Sequence, residues 1–400
     1  MKLPDYAYRN SPESASKLIS WGRIIIAAFL GIGLSQCSSP EKSYESSVQA
    51  DVDSNSNTVI QYAEGFDVEY KDTYKLVCIY SSNDTLCYLL LPIEASIPAG
   101  VPFDQLISVP VERIVTQSTT HLGFICALDA RNTVIGVDNA SYIYDSIFTQ
   151  AVAEGKIQEV GSGASLNAER LVALQPDVLL VSSMPDTGLD AYQKFIDLGI
   201  PVLPVAEWME ASPLGKAEWI KLFAALLNQE EQASVHFSQI TQAYDSLLAV
   251  GKRVNEPTSV IVGSPFQGSW YVPGAISYRG ALIRQAGGTW DWSLDSSAVS
   301  FPVDFEQMYE YGLNANVWLD PGQAFTKEEL LGLDARFADF EAFQENQIYN
   351  SNRRLNASQS GNDYYESGAV YPQRILADLL KILHPELLPH HELYYYQPIR

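Results

Sequence analysis

The chain has 400 residues, with 48 acidic against 25 basic side chains and a formal net charge of −23. So large an excess of negative charge argues against nucleic acid as a partner and against broad adhesion to anionic lipid. The length suffices for two core-bearing lobes.

At the N-terminus Lys17 and Arg23 precede the apolar run Ile24 to Leu34, followed by Ser35, Gln36 and Cys37. An apolar core of about 11 residues is too short to span a bilayer and reads as the hydrophobic region of a secretory signal, assigned to residues 1–36. Leu34-Ser35-Gln36-Cys37 resembles a bacterial lipobox, in which the cysteine is lipidated and begins the mature protein, although Gln36 departs from the small residue usual there. The alternative is an uncleaved anchor with a free thiol at Cys37. Both readings place the remainder outside the cytoplasm, tethered to a membrane. Residues 37–57 are rich in Ser, Asn, Asp and Glu and are expected to form a flexible tether.

Residues 58–109 read as a β-hairpin extension. Lys75 to Tyr80 and Thr85 to Leu91 flank the turn cluster Ser81 to Asp84, a spacing that sets Cys78 opposite Cys87. In an oxidising compartment that pair is either a cross-strand disulfide or two packed thiols. Cys126, in an apolar helical stretch, is expected to be a small core residue.

From 110 to 211 strand-like and helix-like segments alternate: Arg113 to Val115, a helix capped by Thr119 or Thr120, Val134 to Val137, Val178 to Val181, a helix from Leu189 to Leu198, and Val202 to Val205. This pattern predicts a parallel sheet covered on both faces. Residues 212–252 are helical, opened by Ser212-Pro213. Their second part carries Ala233, Phe237, Ile240, Tyr244 and Leu247 on one face, a rod of roughly 33 Å. Residues 253–400 repeat the alternation through Ser259 to Val262, Tyr278 to Ala286, Val317 to Leu319 and a terminal helix from Pro372 to Leu383. The predicted fold is therefore α/β: two doubly wound parallel-sheet lobes joined by one long rigid helix, with the N-terminal hairpin extension. Each lobe also holds a short helix with a glutamate near its start running into a buried strand, at Glu169 and at Glu306.

The stretch from Pro110 to Arg400 resembles the periplasmic substrate-binding proteins of ABC importers for ferric siderophores, haem and cobalamin. The resemblance rests on Glu112 to Val115 followed by Ser118-Thr119-Thr120-His121-Leu122, on Asn167 to Leu180, on Gly199 to Val202, on Ala286-Gly287-Gly288 and on Phe305-Glu306-Gln307. Gly268 to Gly274, Gly361 to Gly368 and His384 to Pro389 further resemble a lipoprotein branch of that family. The resemblance implies a monomer that is periplasmic and lipid-anchored at Cys37. It would capture an iron chelate or a corrinoid between its lobes and pass it to permease subunits of the inner membrane. It also gives Glu169 and Glu306 the role of docking acids for permease arginines, a pairing that fixes register more than affinity.

Loops at the carboxyl ends of the strands should line the ligand cleft. In lobe one these are Ser118, Thr119, Thr120 and His121, where a helix N-terminus meets polar or anionic groups. In lobe two they are Trp270, Tyr271, Arg279, Trp290, Arg353 and Arg354, aromatic faces and planar guanidinium forks suited to an anionic ferric chelate. His121 alone is a candidate axial haem ligand. No protein-held metal or cofactor is expected, because the five histidines do not fall into a converging ligand set. Gly161-Ser162-Gly163 and Gly263-Ser264-Pro265 lack the strand-elbow-helix context of a hydrolase nucleophile, so no catalysis is expected. A surface lipoprotein without a ligand is the other class that the anchor and acidity allow.

Overall fold

The structure, a computed structural model, describes residues 59–81, 85–162, 166–182 and 189–400. The predicted signal peptide, Cys37, the predicted tether and most of the first turn cluster lie outside the described residues. No helix among the described residues is long and apolar enough to cross a membrane.

The extension is larger than the predicted hairpin. Strands β1 (Phe66–Tyr70), β2 (Lys75–Tyr80), β3 (Thr85–Pro92) and β4 (Gln105–Val109) form one sheet in that order, with β4 parallel to β3. The β2/β3 register sets Cys78 against Cys87, and the two form a disulfide. Alternate residues Val77, Ile79, Tyr88 and Leu90 enter the main core. Two buried carboxylates fasten the chain ahead of β1: Glu218 accepts the amides of Gln61, Tyr62 and Ala63, and Glu210 those of Glu64 and Gly65. Each backbone donor that would lose water finds an ionised acceptor there, a charge-assisted bond worth more than a neutral one.

Lobe one runs β5 (Ile114–Thr116), α1 (Thr119–Ala127), β6 (Val134–Val137), α2 (Ser146–Ala153), β7 (Gln158–Glu159), α3 (Ala168–Leu174), β8 (Val178–Val181), α4 (Gln193–Ile196) and β9 (Val202–Pro204). Its sheet has the order β7-β6-β5-β8-β9 and every pair is parallel. Strands buried on both faces read as unbroken apolar runs, and β8 is buried at all four positions. Ser118, not a threonine, caps α1, its hydroxyl accepting the amide of Thr120 at 3.3 Å.

The connector comprises α5 (Pro213–Glu218), α6 (Ile220–Leu227) and α7 (Glu230–Gly251). Ser212 caps α5 through the amide of Gly215, with Pro213 in the first turn. Helix α7 has the predicted 22 residues and buries Ala233, Phe237, Ile240 and Tyr244.

Lobe two contains β10 (Thr258–Val262), β11 (Pro265–Phe266), β12 (Ser269–Val272), α8 (Tyr278–Gln285), β13 (Gly288–Thr289), β14 (Phe301–Val303), α9 (Phe305–Gly312) and β15 (Val317–Leu319). It continues with α10 (Lys327–Leu333), α11 (Glu341–Gln344), β16 (Ile348–Asn350), α12 (Asp363–Glu366), α13 (Pro372–Leu383) and β17 (Gln397–Pro398). The main sheet, β13-β10-β15-β16-β17, is parallel except for its last strand, and β11, β12 and β14 make a small antiparallel sheet. Helix α7 packs on its connector neighbour α6 and on α13 of lobe two. A second tie joins the lobes. Glu366 accepts the amides of Tyr144 and Asp145 at 2.7 and 3.1 Å, while the Asn356 amide donates to the carbonyls of Ser141 and Ile143. Gly123 of α1 admits this contact, since a Cβ there would lie 2.2 Å from the Glu366 carbonyl oxygen.

Candidate functional site

Parallel strands deliver their carboxyl ends to one edge of each sheet, and in lobe one β5 and β9 bring the first turn of α1 beside Glu207. Ser118 and Thr120 remain partly exposed there with their hydroxyls 2.8 Å apart. Next to them Gln117 accepts the Tyr192 hydroxyl at 2.9 Å, while its amide nitrogen is buried without a partner. A buried polar donor left unpaired is rare enough to need an explanation, and here it sits at the edge where a ligand is expected.

Beneath α1 lies a buried acid-base pair. His121 is fully buried, its Nδ1 is 2.7 Å from the Thr116 hydroxyl and its Nε2 is 4.0 Å from a Glu207 oxygen, neither of those two atoms having a hydrogen-bond partner. Burial pushes the imidazole down to about 3. Burial also raises the Glu207 carboxyl, against the pull of Lys216 and the Thr120 hydroxyl, and lowers the Lys216 ammonium, against the pull of Glu207. The Lys216 Nζ stands 4.9 Å over the ring of Tyr278. This cation–π contact carries the polar patch from the connector into lobe two.

On the lobe-two side, Arg279 in the first turn of α8 forms an ion pair with Asp320, which follows β15. Asp320 also accepts the Tyr396 hydroxyl at 3.0 Å and the Ser351 amide at 2.8 Å. Burial works to lower the Arg279 guanidinium, but Asp320 and then the surrounding tyrosines outweigh it and its pKa ends above the ordinary value. Tyr364 is buried against this pair while Tyr365 stays exposed.

A sequence model of the periplasmic binding protein family matches residues 114–354, more than half of the chain. The chain belongs to the periplasmic binding protein family. Two uncharacterised lipoproteins of Methanocaldococcus jannaschii are similar to it. One is 28% identical over 342 residues, 82% of this chain and 83% of the relative; the other is 27% identical over 291 residues, 70% and 67%. The fold is shared with a TroA-like periplasmic binding protein, FepB, of Veillonella parvula, at a TM-score of 0.53 and 20% identity over 73% of this chain and 95% of that one. It is likewise shared with the periplasmic heme binding protein HutB of Vibrio cholerae, at 0.50 and 22% over 66% and 99%.

Within this periplasmic binding protein the predicted site residues separate. Ser118, Thr119 and Thr120 open α1 beside Glu207, and Arg279 adjoins Tyr278, the ring that Lys216 meets from the connector. His121 turns inward, so it offers no face to a haem iron. Trp270 and Trp290 are not free to stack on a ligand: Trp270 lies on β12, is fully buried, donates Nε1 to the Val262 carbonyl at 2.8 Å and packs on Trp318 and Phe337, and Trp290, in the loop after β13, is buried with Nε1 on the Pro273 carbonyl. Their neighbour Tyr271 points outward and is exposed. Arg353 is exposed, its guanidinium without a partner among the described residues. Arg354 is a brace, its Nε on Asp363 at 2.6 Å and its plane 4.3 Å from the Tyr394 ring. Sequence reasoning missed Gln117, Glu207, Lys216 and Asp320. Their positions just after β5, β9 and β15 and in α5 were the available signal. Glu169 and Glu306 both lie in the first turn of their helices and are exposed, Glu306 with Arg336 at 3.3 Å. No group of three or more metal-ligating side chains occurs among the described residues.

Proposed function

We propose that the protein captures a ferric siderophore between its lobes and delivers it to an ABC permease, docking through Glu169 and Glu306 while Cys37 carries the lipid anchor. The observation that supports this reading is the set of unused hydrogen-bond donors in the segments that follow the carboxyl ends of β5 and β16. The Gln117 amide nitrogen is buried without an acceptor, the Ser118 and Thr120 hydroxyls are accessible, and the Arg353 guanidinium is exposed without a partner among the described residues. Donors in excess suit a ligand rich in anionic oxygen, which is the outer surface of a ferric chelate. The inward-turned His121 weighs against haem ligation by that residue. The solute is held and handed on unchanged.

The test is calorimetric titration of the purified protein with ferric siderophores, a corrinoid and heme, joined to fluorescence. Trp208, exposed and next to Glu207 in sequence, serves as the reporter of binding. A ferric chelate is expected to bind and to quench fluorescence in the wild type but not in Trp208→Phe. Lys216→Met, which keeps the stem over Tyr278 and removes the charge, is expected to weaken that binding at least about tenfold, as loss of one charge-assisted contact does. Binding of the corrinoid or heme with no response to any ferric chelate would reassign the solute.

A further inference from the structure

Beyond its first turn, α1 faces Gly123, Cys126 and Ala127 into a polar cavity of 260 Å³ whose far wall is Arg354, α12 and the start of α13. The cavity therefore has one wall from each lobe. Three guanidinium groups line it, an unusual concentration in a chain with only 25 basic residues.

The three differ in how far their donors are used. Arg131 gives both Nε and Nη2 to Asp145, at 3.1 and 2.9 Å. Arg354 gives only Nε, to Asp363 at 2.6 Å. Arg374 gives only Nη1, to the Tyr394 hydroxyl at 3.2 Å, and has no carboxylate at ion-pair distance among the described residues. The ring of Tyr394 holds both Arg354 and Arg374, at 4.3 and 4.7 Å from its centroid.

The carboxylates of the cavity are already committed. Asp145 serves Arg131 and caps α2 through the amide of Ile147 at 2.8 Å. Asp363 serves Arg354 and the amide of Ser367, and Glu366 accepts the amides of Tyr144 and Asp145. Burial, helped by Asp363 and Asp145, also lifts Glu366 to about 7, so near neutrality its negative charge is only partly present. What remains without a hydrogen-bond partner among the described residues is positive: the Nη nitrogens of Arg354 and the Nε and Nη2 of Arg374.

We propose that this cavity binds a small oxyanion, a carboxylate or phosphate group, between Arg354 and Arg374. Guanidinium forks match such groups in a bidentate plane, and stacking on Tyr394 keeps both forks in place before the anion arrives. Arg131 and Tyr144 of lobe one line the same cavity, so the bound anion sits where the two lobes meet. The inference does not depend on which solute the cleft takes.

The test is titration of the full protein with inorganic phosphate and with acetate at pH 7, against chloride at equal ionic strength, followed by calorimetry and thermal melting. Saturable binding is expected for phosphate or acetate but not for chloride, weakened at least tenfold in Arg374→Gln and unchanged in Arg279→Gln, which separates this cavity from the cleft. In the wild type, the same anion is expected to protect Arg354 and Arg374 from phenylglyoxal, read by peptide mass spectrometry, whatever the fate of the variant's folding. No saturable binding of either anion, binding retained in Arg374→Gln, or the absence of protection at both arginines overturns the proposal.

Discussion

His121 shows how one position determines the chemistry available at this site. Its folded value near 3 lies below the ordinary 6.5, so the stability it contributes is complete above about pH 6.5 and is lost as pH falls toward 3. Glu366 runs the other way: its folded value near 7 lies above 4.5, so its contribution declines as pH rises between those values. Substituting His121 isolates the first effect. His121→Asn, which retains a partner for Thr116, should flatten the stability profile between pH 6.5 and 4 by up to about 3 kcal/mol, measured by urea unfolding at several pH values. A profile identical to wild type would mean that the ring charges without penalty. That His121 faces inward was not legible from its place at a helix start, because the sequence does not reveal which side of the turn meets Thr116 and Phe223. The same limit misplaced Trp270. On β12 the pleat sends Trp270 into the core and Tyr271 outward, and a run of four residues carries too little alternation to tell which.

Among the elements, those with strong internal pattern were readable and those fixed by distant partners were not. The β2/β3 pairing follows from two apolar runs around a turn, and α7 from its three-four spacing. Strands β1 and β4 had no such signal, since β1 is held by its antiparallel pairing to β2 behind a segment bound to Glu218 and Glu210, more than 140 residues away in sequence. The disulfide closes a short loop on this sheet, with a sequence separation of 9. Replacing Cys78 and Cys87 by serine should lower stability by about 2 kcal/mol, at the low end for disulfides because the closed loop is short and the strands stay paired. Melting with and without reductant checks it, with no shift expected in the double variant. At the α1–α12 contact two effects oppose. Alanine in place of Gly123 gains up to about 1 kcal/mol of helix propensity. Its Cβ, however, would lie 2.2 Å from a backbone oxygen that cannot swing aside, and overpacking of this kind costs about 1–3 kcal/mol. Gly123→Ala is therefore expected to destabilise, with faster hydrogen exchange at the Tyr144 and Asp145 amides. Protection unchanged at those two amides would show that α12 is not held by this contact.

At the scale of the whole molecule, the helix α7 and the Glu366 tie act on the same degree of freedom, the angle between lobes. A rod of 22 residues, roughly 33 Å, resists bending, and the Glu366 and Asn356 bonds join the lobes at a second place. Two acids carried by so stiff a body are expected to keep a nearly fixed separation. Glu169 and Glu306 are exposed on short helices of opposite lobes, and in neither is the side chain needed by the core. Exposed charges of this kind contribute little to stability but much to orientation and association rate. Reversing both, Glu169→Arg with Glu306→Arg, should therefore leave melting temperature and solute affinity within error of wild type while uptake through the permease falls at least about tenfold. Each single reversal should fall between, because register set by two points survives poorly on one. The opposite pattern, solute affinity reduced with uptake otherwise intact, would place these carboxylates in the ligand's field instead of the permease's. Unimpaired uptake by the double variant would remove the docking role altogether.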